Sequence, residues 1–315
     1  MKDKNLKKII GSGYINDIKN LVFLAEGMDF LTYRGKHESF GDVVLRIPKS
    51  RQLTYGNESY SSNEIIKKEI QIYQILSHNN IPSPQVYYYD CKEYPFIVYE
   101  YISNDKSIFD TYQLGMIMKN IHSITFNDSI FIDEFKCFLS NRLYDRLQYI
   151  NNKLGIPNPF KKKEEIFSSL LVSNEMSLLH MDIRPDNILS LKKDIKGIID
   201  WTYAMIGDPY FELCRIKEFD YANDYKLIDM EFIKGYGNYK LLKTSKLTEL
   251  IYDLDAAVMV LILFYENRKF INKFNRQKKH VKQICGQIKS ILNKKEKRNE
   301  KFYFYKWKCN RRTSR

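Results

Sequence analysis

The chain has 315 residues, of which 44% are apolar, and this composition excludes an intrinsically disordered protein. A chain of this length can bury the cores of two lobes or domains. The formal net charge of +13 is unevenly distributed, because residues 266–315 carry 18 Lys and Arg against 3 Asp and Glu, a net +15. The first 265 residues carry −2, so the body of the chain is near neutral and the tail is basic.

The sequence shows no pattern typical of a zinc site, a disulfide framework or a membrane span. Its five cysteines are scattered, without a Cys-x-x-Cys spacing or a cysteine–histidine cluster, which favours a reduced, cytoplasmic setting. The basic N-terminus is not followed by the apolar core of a signal peptide. The longest apolar run, residues 256–265, is too short to cross a bilayer and predicts a buried helix.

Five β-rich stretches in the first hundred residues predict an antiparallel sheet. Turns at Gly27 and at residues 35–41 separate the first three stretches, and Pro48 ends the third. A further turn at residues 91–94 separates the last two. The predicted strands are residues 21–24, 30–33, 43–47, 86–89 and 96–101.

One helix is predicted between the third and fourth strands, over residues 62–77. Ser61 and Glu64 have the spacing of a capping box, and an apolar stripe begins at Ile66. Glu69 lies on the same face as this stripe, and burying a carboxylate alone is very costly. We therefore expect a cationic partner for Glu69; a glutamate at the solvated edge of the face is the alternative.

From residue 110 onward the apolar residues recur at helical spacing. Two stripes, at residues 114–121 and 135–150, come first, and three more helices are predicted at residues 211–218, 229–236 and 248–269. The last residues alternate Lys and Arg with Phe, Tyr and Trp, and we assign them no secondary structure.

A short hairpin carries the most distinctive chemistry of the chain. Residues 187–191 and 196–200 read as two strands joined by a Lys-Lys-Asp turn, which brings Asn187 next to Asp200. Asp182 lies on the loop that enters the hairpin. One carboxylate can face an acceptor hydroxyl, while the amide and the other carboxylate hold Mg²⁺. These are the requirements of phosphoryl transfer from a nucleoside triphosphate.

Two further residues of this loop are candidates for catalysis. His180 follows two leucines, and we expect it to brace the loop backbone. Arg184 is placed to neutralise charge on the transferred phosphoryl group, although an ordinary surface arginine fits the same position. The predicted catalytic set is therefore Asp182, Arg184 and His180, with Asn187 and Asp200 as metal ligands.

The run His180-x-Asp182-x-x-x-x-Asn187, the Ile-Asp-Trp at residues 199–201 and the Gly-Asp-Pro at residues 207–209 together resemble the aminoglycoside phosphotransferase family. Residues 26–30, 44–48 and 81–84 extend the resemblance to the subset that acts on macrolides and some aminoglycosides. The resemblance covers roughly residues 20–215. It implies an α+β, bilobal protein-kinase-like fold, with a five-stranded N-terminal lobe and a mostly helical C-terminal lobe carrying the catalytic hairpin.

The resemblance also implies a nucleotide site and a division of the chain. By position, Arg46 touches the nucleotide phosphates and pairs with Glu69, Gly27 marks the phosphate loop, and the hinge at Glu100 and Ile102 binds a purine. Arginine replaces the more usual lysine at residue 46. The implied parts are a nucleotide-binding lobe at residues 1–102, a catalytic and acceptor-binding lobe at residues 103–295, and a basic aromatic tail at residues 296–315 whose composition allows disorder.

The leading hypothesis is a cytoplasmic kinase that transfers the γ-phosphoryl group of ATP or GTP, with Mg²⁺, to a hydroxyl of an aminoglycoside or macrolide, conferring antibiotic resistance. A kinase of choline, another amino alcohol or a sugar shares the same core and is the alternative. The mildly acidic segment at residues 216–265 suits a cationic acceptor, and solvated helix faces explain it equally well. A non-catalytic protein that binds nucleic acid or an anionic membrane through its tail is the third reading. We expect no nucleic-acid partner and no membrane span.

Overall fold

The computed structural model describes residues 4–55, 58–237, 244–267 and 270–312. Its contacts divide the chain into two compact units. The first unit comprises Met1–Ile121, His180–Ala204 and Met230–Gly237, and the second comprises His122–Leu179, Met205–Asp229 and Asn238–Arg315. The hairpin and the predicted nucleotide residues all belong to the first unit. The predicted lobe boundary at residue 102 remains a prediction.

The first unit is built on an antiparallel five-stranded sheet in the order β1-β2-β3-β7-β6. The sheet predicted for the first hundred residues is therefore confirmed. A separate hairpin, β4–β5, and an N-terminal helix, α1, were not predicted. The bounds are α1 Lys4–Gly11, β1 Ile18–Glu26, β2 Phe30–His37, β3 Gly41–Pro48, β4 Gln52–Tyr55, β5 Glu58–Ser61, α2 Ser62–His78, β6 Val86–Asp90 and β7 Phe96–Glu100.

The two faces of the sheet bury different helices, and the pleat of β3 decides which face each side chain joins. Val43 and Leu45 pack into a cluster with residues of α1. Val44 packs with Ile66 and Ile70 of α2 on the opposite face. Because alternate residues of a strand share a face, Arg46 lies on the α2 side.

Helix α2 begins at Ser62 without the predicted capping box. Ser61 is the N-cap residue, but its side chain makes no capping hydrogen bond, so that prediction was wrong. The physical reason is that Ser61 also ends β5, where it pairs with Gln52. Its backbone conformation is therefore set by a strand ladder as well as by the helix.

The hairpin predicted after the catalytic loop is present in the first unit, but its second strand begins two residues earlier than predicted, so Asp194 belongs to the strand and not to the turn. Strand β10, Ile188–Leu191, pairs antiparallel with β11, Asp194–Ile198. The turn residues Lys192 and Lys193 both have positive φ, as a two-residue turn between twisted strands requires. Two helices complete the unit: α3, Thr111–His122, whose last residue belongs to the second unit, and α7, Met230–Tyr236.

The second unit is mostly helical, as predicted. A three-stranded sheet in the order β12-β9-β8 accompanies its helices. Fully buried aromatic residues, among them Phe135, Phe211 and Tyr252, lie in contact at the centre of this unit. The bounds are β8 Thr125–Phe126, α4 Ser129–Leu154, α5 Lys163–Ser169, β9 Met176–Leu179, β12 Met205–Gly207, α6 Pro209–Asn223, α8 Lys246–Glu266 and α9 Ile271–Arg312.

Helix α9 includes most of the segment to which we assigned no secondary structure, since it runs to Arg312. The side chains of the basic aromatic tail, residues 296–315, lie outside the described part, so contacts made by the tail remain a prediction. Within the described ranges, no helix combines the length and the apolar character that a transmembrane segment needs.

Candidate active site

His180 holds the two ends of the catalytic loop together. Its ring is fully buried and lies beside the indole of Trp201, with ring centroids 4.4 Å apart. The backbone N–H of Asp182 donates to His180 Nδ1 at 3.1 Å, and Nε2 lies 3.0 Å from the carbonyl oxygen of Ile199. Because Nδ1 is the acceptor, Nε2 carries the proton and donates to that carbonyl. These are the backbone contacts expected of the predicted brace.

Met181 precedes the aspartate of the catalytic loop, and its backbone adopts a conformation that is more typical of glycine. Its φ is +69°, in the left-handed region that side chains disfavour. The side chain is nonetheless buried, with 2% of its surface exposed. Burial of this methionine therefore helps to hold a conformation that its own Cβ opposes.

The carboxylate of Asp182 is oriented by two neighbours on the same loop. Asn187 donates through Nδ2 to Asp182 Oδ2 and to the Asp182 carbonyl oxygen, both at 2.8 Å. Arg184 Nε lies 3.2 Å from the same Oδ2. The side chain of Asp182 is 12% exposed and that of Arg184 is 41% exposed. The carboxylate is thus nearly buried, fixed in direction, and paired with a partly solvated cation.

Asp200 lies at the end of the hairpin, also with a positive φ of 67°. Its Oδ1 accepts hydrogen bonds from Arg46 Nη2 at 2.6 Å and from Thr202 Oγ1 at 2.7 Å. Burial raises the pKa of Asp200, but Arg46 and then Thr202 outweigh burial and bring that pKa below its usual range. Asp200 is therefore an anion at neutral pH.

Arg46 joins the sheet, helix α2 and the hairpin. Its Nη1 donates to both carboxylate oxygens of Glu69, and its Nη2 donates to Asp200 and to Thr202 Oγ1. Its guanidinium also stacks on the ring of Phe30, with Cζ 3.9 Å from the ring centroid. Glu69 is fully buried, so it has the cationic partner that its position on α2 demanded.

The remaining predicted nucleotide residues lie in the same unit. The N–H of Gly27 donates to the Phe30 carbonyl at 2.9 Å and closes the β1–β2 turn. Glu100 ends β7, where its N–H donates to the Gln85 carbonyl at 2.8 Å. Ile102 packs against the hairpin so closely that a Cβ on Gly197 would lie 2.7 Å from Ile102 Cδ1.

The oxygen atoms at the mouth of the hairpin suit a magnesium ion. Within the part of the chain that the structure describes, Asn187 Oδ1 and Asp200 Oδ2 accept no hydrogen bond. Mg²⁺ prefers such hard oxygen ligands, usually one or two from protein, and completes its shell with phosphate oxygens and water. The residues present therefore fit the ion.

Three residues of this region were not predicted as site residues. Lys68 Nζ donates to the carbonyls of Thr202 and Ala204, and the hydroxyl of Thr202 bonds Asp200. The half-buried Asp29 has its pKa raised to about 6, first by burial and then by the Asp200 carboxylate. The available signals were the position of Lys68 beside Glu69 and of Asp29 in the quoted run at residues 26–30.

Comparison with known proteins places this site in a family. A model described as the phosphotransferase enzyme family matches residues 20–244, which is well over half of the chain. The predicted resemblance is confirmed: the fold is that of the protein-kinase-like phosphotransferases. The chain belongs to the phosphotransferase enzyme family, and the prediction of a phosphotransferase with an alcohol group as acceptor is confirmed at the level of that family.

Individual relatives differ in what their names say they act on. The Protein LicA homolog of Mycoplasma capricolum subsp. capricolum is 29% identical over 155 residues, which are 46% of this chain and 60% of that protein. The match thus spans about three fifths of this curated relative. The structure of the streptomycin–ATP–APH(2")-IIa ternary complex is similar with a TM-score of 0.57, at 17% identity, over 90% of this chain and 99% of that one.

Choline kinase LicA from Streptococcus pneumoniae is similar with the same TM-score of 0.57, at 16% identity, over 88% of this chain and 99% of that one. At such identities the likeness to solved structures shows the fold alone. An aminoglycoside phosphotransferase and a choline kinase resemble this chain equally, so the fold does not choose between their acceptors.

Proposed function

We propose that this protein transfers the γ-phosphoryl group of a nucleoside triphosphate, with Mg²⁺, to a hydroxyl of a small cationic molecule. The main support for this proposal is that Asp182, Asn187 and Asp200 lie at one hairpin. Arg46 links this hairpin to Glu69 by hydrogen bonds to Asp200 and to Glu69. Phosphoryl transfer needs positioning and charge neutralisation more than covalent chemistry. A fixed set of carboxylates, an amide and a guanidinium supplies both.

Asp182 is the proposed catalytic base. Its Oδ2 is held by Asn187 and faces the Arg184 cation, so the direction of the carboxylate is set before the acceptor arrives. A base in this position accepts the hydroxyl proton as the oxygen attacks phosphorus. Arg184, with its side chain 41% exposed, is the proposed contact for charge on the transferred group. His180 keeps the loop in place.

Asn187 Oδ1 and Asp200 Oδ2 are the proposed metal ligands. When bound, Mg²⁺ neutralises charge on the phosphates of the nucleotide. Gly27, Arg46, Glu100 and Ile102 are the proposed nucleotide contacts. Because Nη1 and Nη2 of Arg46 already donate to carboxylates, we assign Arg46 a second task, which is to hold Asp200 in the direction of the metal.

Two acceptor classes are supported by different observations. An antibiotic, an aminoglycoside or a macrolide, is supported by the motifs quoted above and by the likeness to APH(2")-IIa, and would make this a resistance enzyme acting in the cytoplasm. Choline or a related amino alcohol is supported by the likeness to choline kinase LicA, together with the sequence match to a protein named as a LicA homolog. Members of both classes combine a hydroxyl with a positively charged nitrogen.

A screen of purified protein separates these possibilities. The protein is incubated with Mg²⁺ and ATP or GTP against aminoglycosides, macrolides, choline and ethanolamine, and both nucleoside diphosphate and the phosphorylated product are measured. We expect turnover with one class only. Silence with every acceptor in a folded protein that binds no nucleotide would defeat the proposal.

The role of Asp182 is tested with Asp182→Asn, which keeps the size of the side chain and removes the base. We expect turnover to fall by about 10²–10⁴-fold while nucleotide binding is kept. Asp194→Asn is the matched control, because Asp194 begins β11 directly after the hairpin turn, with its side chain 64% exposed and paired with Lys196. Equal activity of the two variants would rule out Asp182 as the base.

A further inference from the structure

Helix α2 reaches the metal-binding end of the hairpin with two consecutive residues. Glu69 acts through Arg46, as described above. Lys68 reaches the chain directly: its ammonium group donates to the carbonyl of Thr202 at 2.8 Å and to the carbonyl of Ala204 at 3.0 Å. Lys68 is partly buried, and desolvation lowers its pKa while Glu69 opposes that effect.

The two carbonyls lie where a helical turn ends. Residues Trp201–Tyr203 form a 3₁₀ turn directly after Asp200, closed by the Ala204 N–H donating to the Trp201 carbonyl at 3.1 Å. Terminal carbonyls of such a turn lack partners within it, and a cation placed there satisfies them and matches the local dipole. Lys68 fills that position.

Thr202 connects this contact to the carboxylate of Asp200. Its carbonyl accepts from Lys68, and its hydroxyl lies between Arg46 Nη2, at 3.1 Å, and Asp200 Oδ1, at 2.7 Å. Thr202 therefore contacts Lys68 through its backbone carbonyl and Asp200 through its side-chain hydroxyl. Movement of the 3₁₀ turn would carry that hydroxyl away from the carboxylate.

The backbone conformation of Asp200 is unfavourable by itself and has to be stabilised by surrounding contacts. Its φ of 67° is one that residues with a Cβ seldom adopt, so surrounding contacts must maintain it. Arg46 fixes the carboxylate of Asp200, and Lys68 fixes the turn that follows it. Residues that orient metal ligands in this way typically change metal affinity by about 10–100-fold when they are removed.

We propose that Lys68 is a positioning residue for the metal-binding carboxylate of Asp200, acting through the 3₁₀ turn at Thr202. This inference rests on the proposed function for the identity of the metal site. Lys68 touches neither substrate nor metal in this scheme. Its effect is on the affinity for the metal ion and on the order of the turn.

The test compares Lys68→Met with Lys68→Arg. Lys67→Met is the control, because Lys67 is exposed on the same helix. Mn²⁺ binding with a non-hydrolysable nucleotide is measured by electron paramagnetic resonance, without acceptor. Amide hydrogen exchange of residues 199–205 is measured in the metal-free protein. We expect Lys68→Met to weaken Mn²⁺ binding about 10–100-fold and to speed the exchange. Lys68→Arg should keep most of the Mn²⁺ affinity and most of the protection from exchange, and Lys67→Met should change neither quantity.

Unchanged Mn²⁺ affinity and unchanged exchange in a folded Lys68→Met protein would overturn the proposal. If Lys68→Met does not fold, Lys68→Gln, which keeps a donor without the charge, takes its place and must show both losses. If the unaltered protein shows no nucleotide-dependent Mn²⁺ binding, the proposed function fails. Hydrogen exchange still judges the contact of Lys68 in that case, so the two failures are distinguishable.

Discussion

Replacing Arg46 with methionine would leave the carboxylate of Glu69 in the core without its cation. The Glu69 side chain is 0% exposed, and Arg46 donates to both of its oxygens. Removing one partner of a buried ion pair costs about 3–5 kcal/mol, because the remaining charge stays desolvated. We expect Arg46→Met to lower the free energy of unfolding by that amount at pH 8.

The loss should depend on pH in a defined direction. Burial raises the pKa of Glu69, and Arg46 is the main opposing influence. In the Arg46→Met variant the largest influence that lowers the pKa of Glu69 is gone, so that pKa rises further and Glu69 takes up a proton on folding as the pH falls. A group with a raised pKa favours folding below its unfolded value and loses that contribution as the pH rises through the folded value. The deficit of the variant should therefore be smaller at pH 5 than at pH 8.

Two further variants separate the charges. Glu69→Gln leaves Arg46 paired with Asp200, so we expect a smaller loss of about 2 kcal/mol. The double variant Arg46→Met with Glu69→Leu removes both charges, so it should be more stable than Arg46→Met alone.

The assay is urea denaturation of the metal-free and nucleotide-free protein at pH 5 and pH 8, followed by circular dichroism. Lys19→Met serves as the control, because Lys19 and Glu38 form an exposed pair, with side chains 65% and 62% exposed, and its loss should change the free energy of unfolding little at either pH. A deficit in Arg46→Met below about 1 kcal/mol and equal at both pH values would refute the reasoning.

Three other variants test the electrostatics of Asp29 and the packing around two helical glycines. Asp29→Asn should raise the free energy of unfolding by about 1 kcal/mol at pH 8, after allowance for screening of the half-exposed carboxyl, because the pKa of about 6 means that its charged form opposes folding above that pH. Urea titrations should show almost no gain at pH 4, and a gain independent of pH would contradict this. Gly235→Ala should destabilise the fold by about 1–3 kcal/mol, because its Cβ would lie 2.0 Å from the Tyr112 carbonyl oxygen. Gly286→Ala, which meets open space in α9, should instead stabilise it by about 0.5–1 kcal/mol, so thermal melts that shift in the same direction would contradict the packing argument.

The parts of the site that depend on short-range chemistry were predictable from the sequence. The hairpin follows from two apolar stretches joined by a polar turn, and its antiparallel pairing places Asn187 opposite Ile199, next to Asp200. Glu69 was expected to need a cation because its helix face is apolar, and the cost of a lone buried charge applies in any fold.

The parts of the site that depend on contacts between distant chain segments were not predictable from the sequence. Lys68 contacts carbonyls 134 and 136 positions further along the chain, and a backbone carbonyl leaves no signature in the sequence. The capping box failed for a related reason, because Ser61 also pairs with Gln52 in a strand ladder, and the local sequence does not reveal that contact. Helix α1 was missed although Leu6, Ile9 and Ile10 have helical spacing, because eight residues are shorter than the window over which such a period is recognised.

The adjacency of Lys68 and Glu69 constrains where this chain can change in length. Successive residues of a helix point about 100° apart, so a single insertion or deletion in α2 before Lys68 would turn both side chains away from their partners at once. The stretch between β3 and α2 carries no such restriction from these contacts. Length variation among related chains, and engineered insertions, should therefore be excluded from the first two turns of α2, whereas between Ser50 and Ser61 they are limited by the β4–β5 ladder and the buried Leu53 instead.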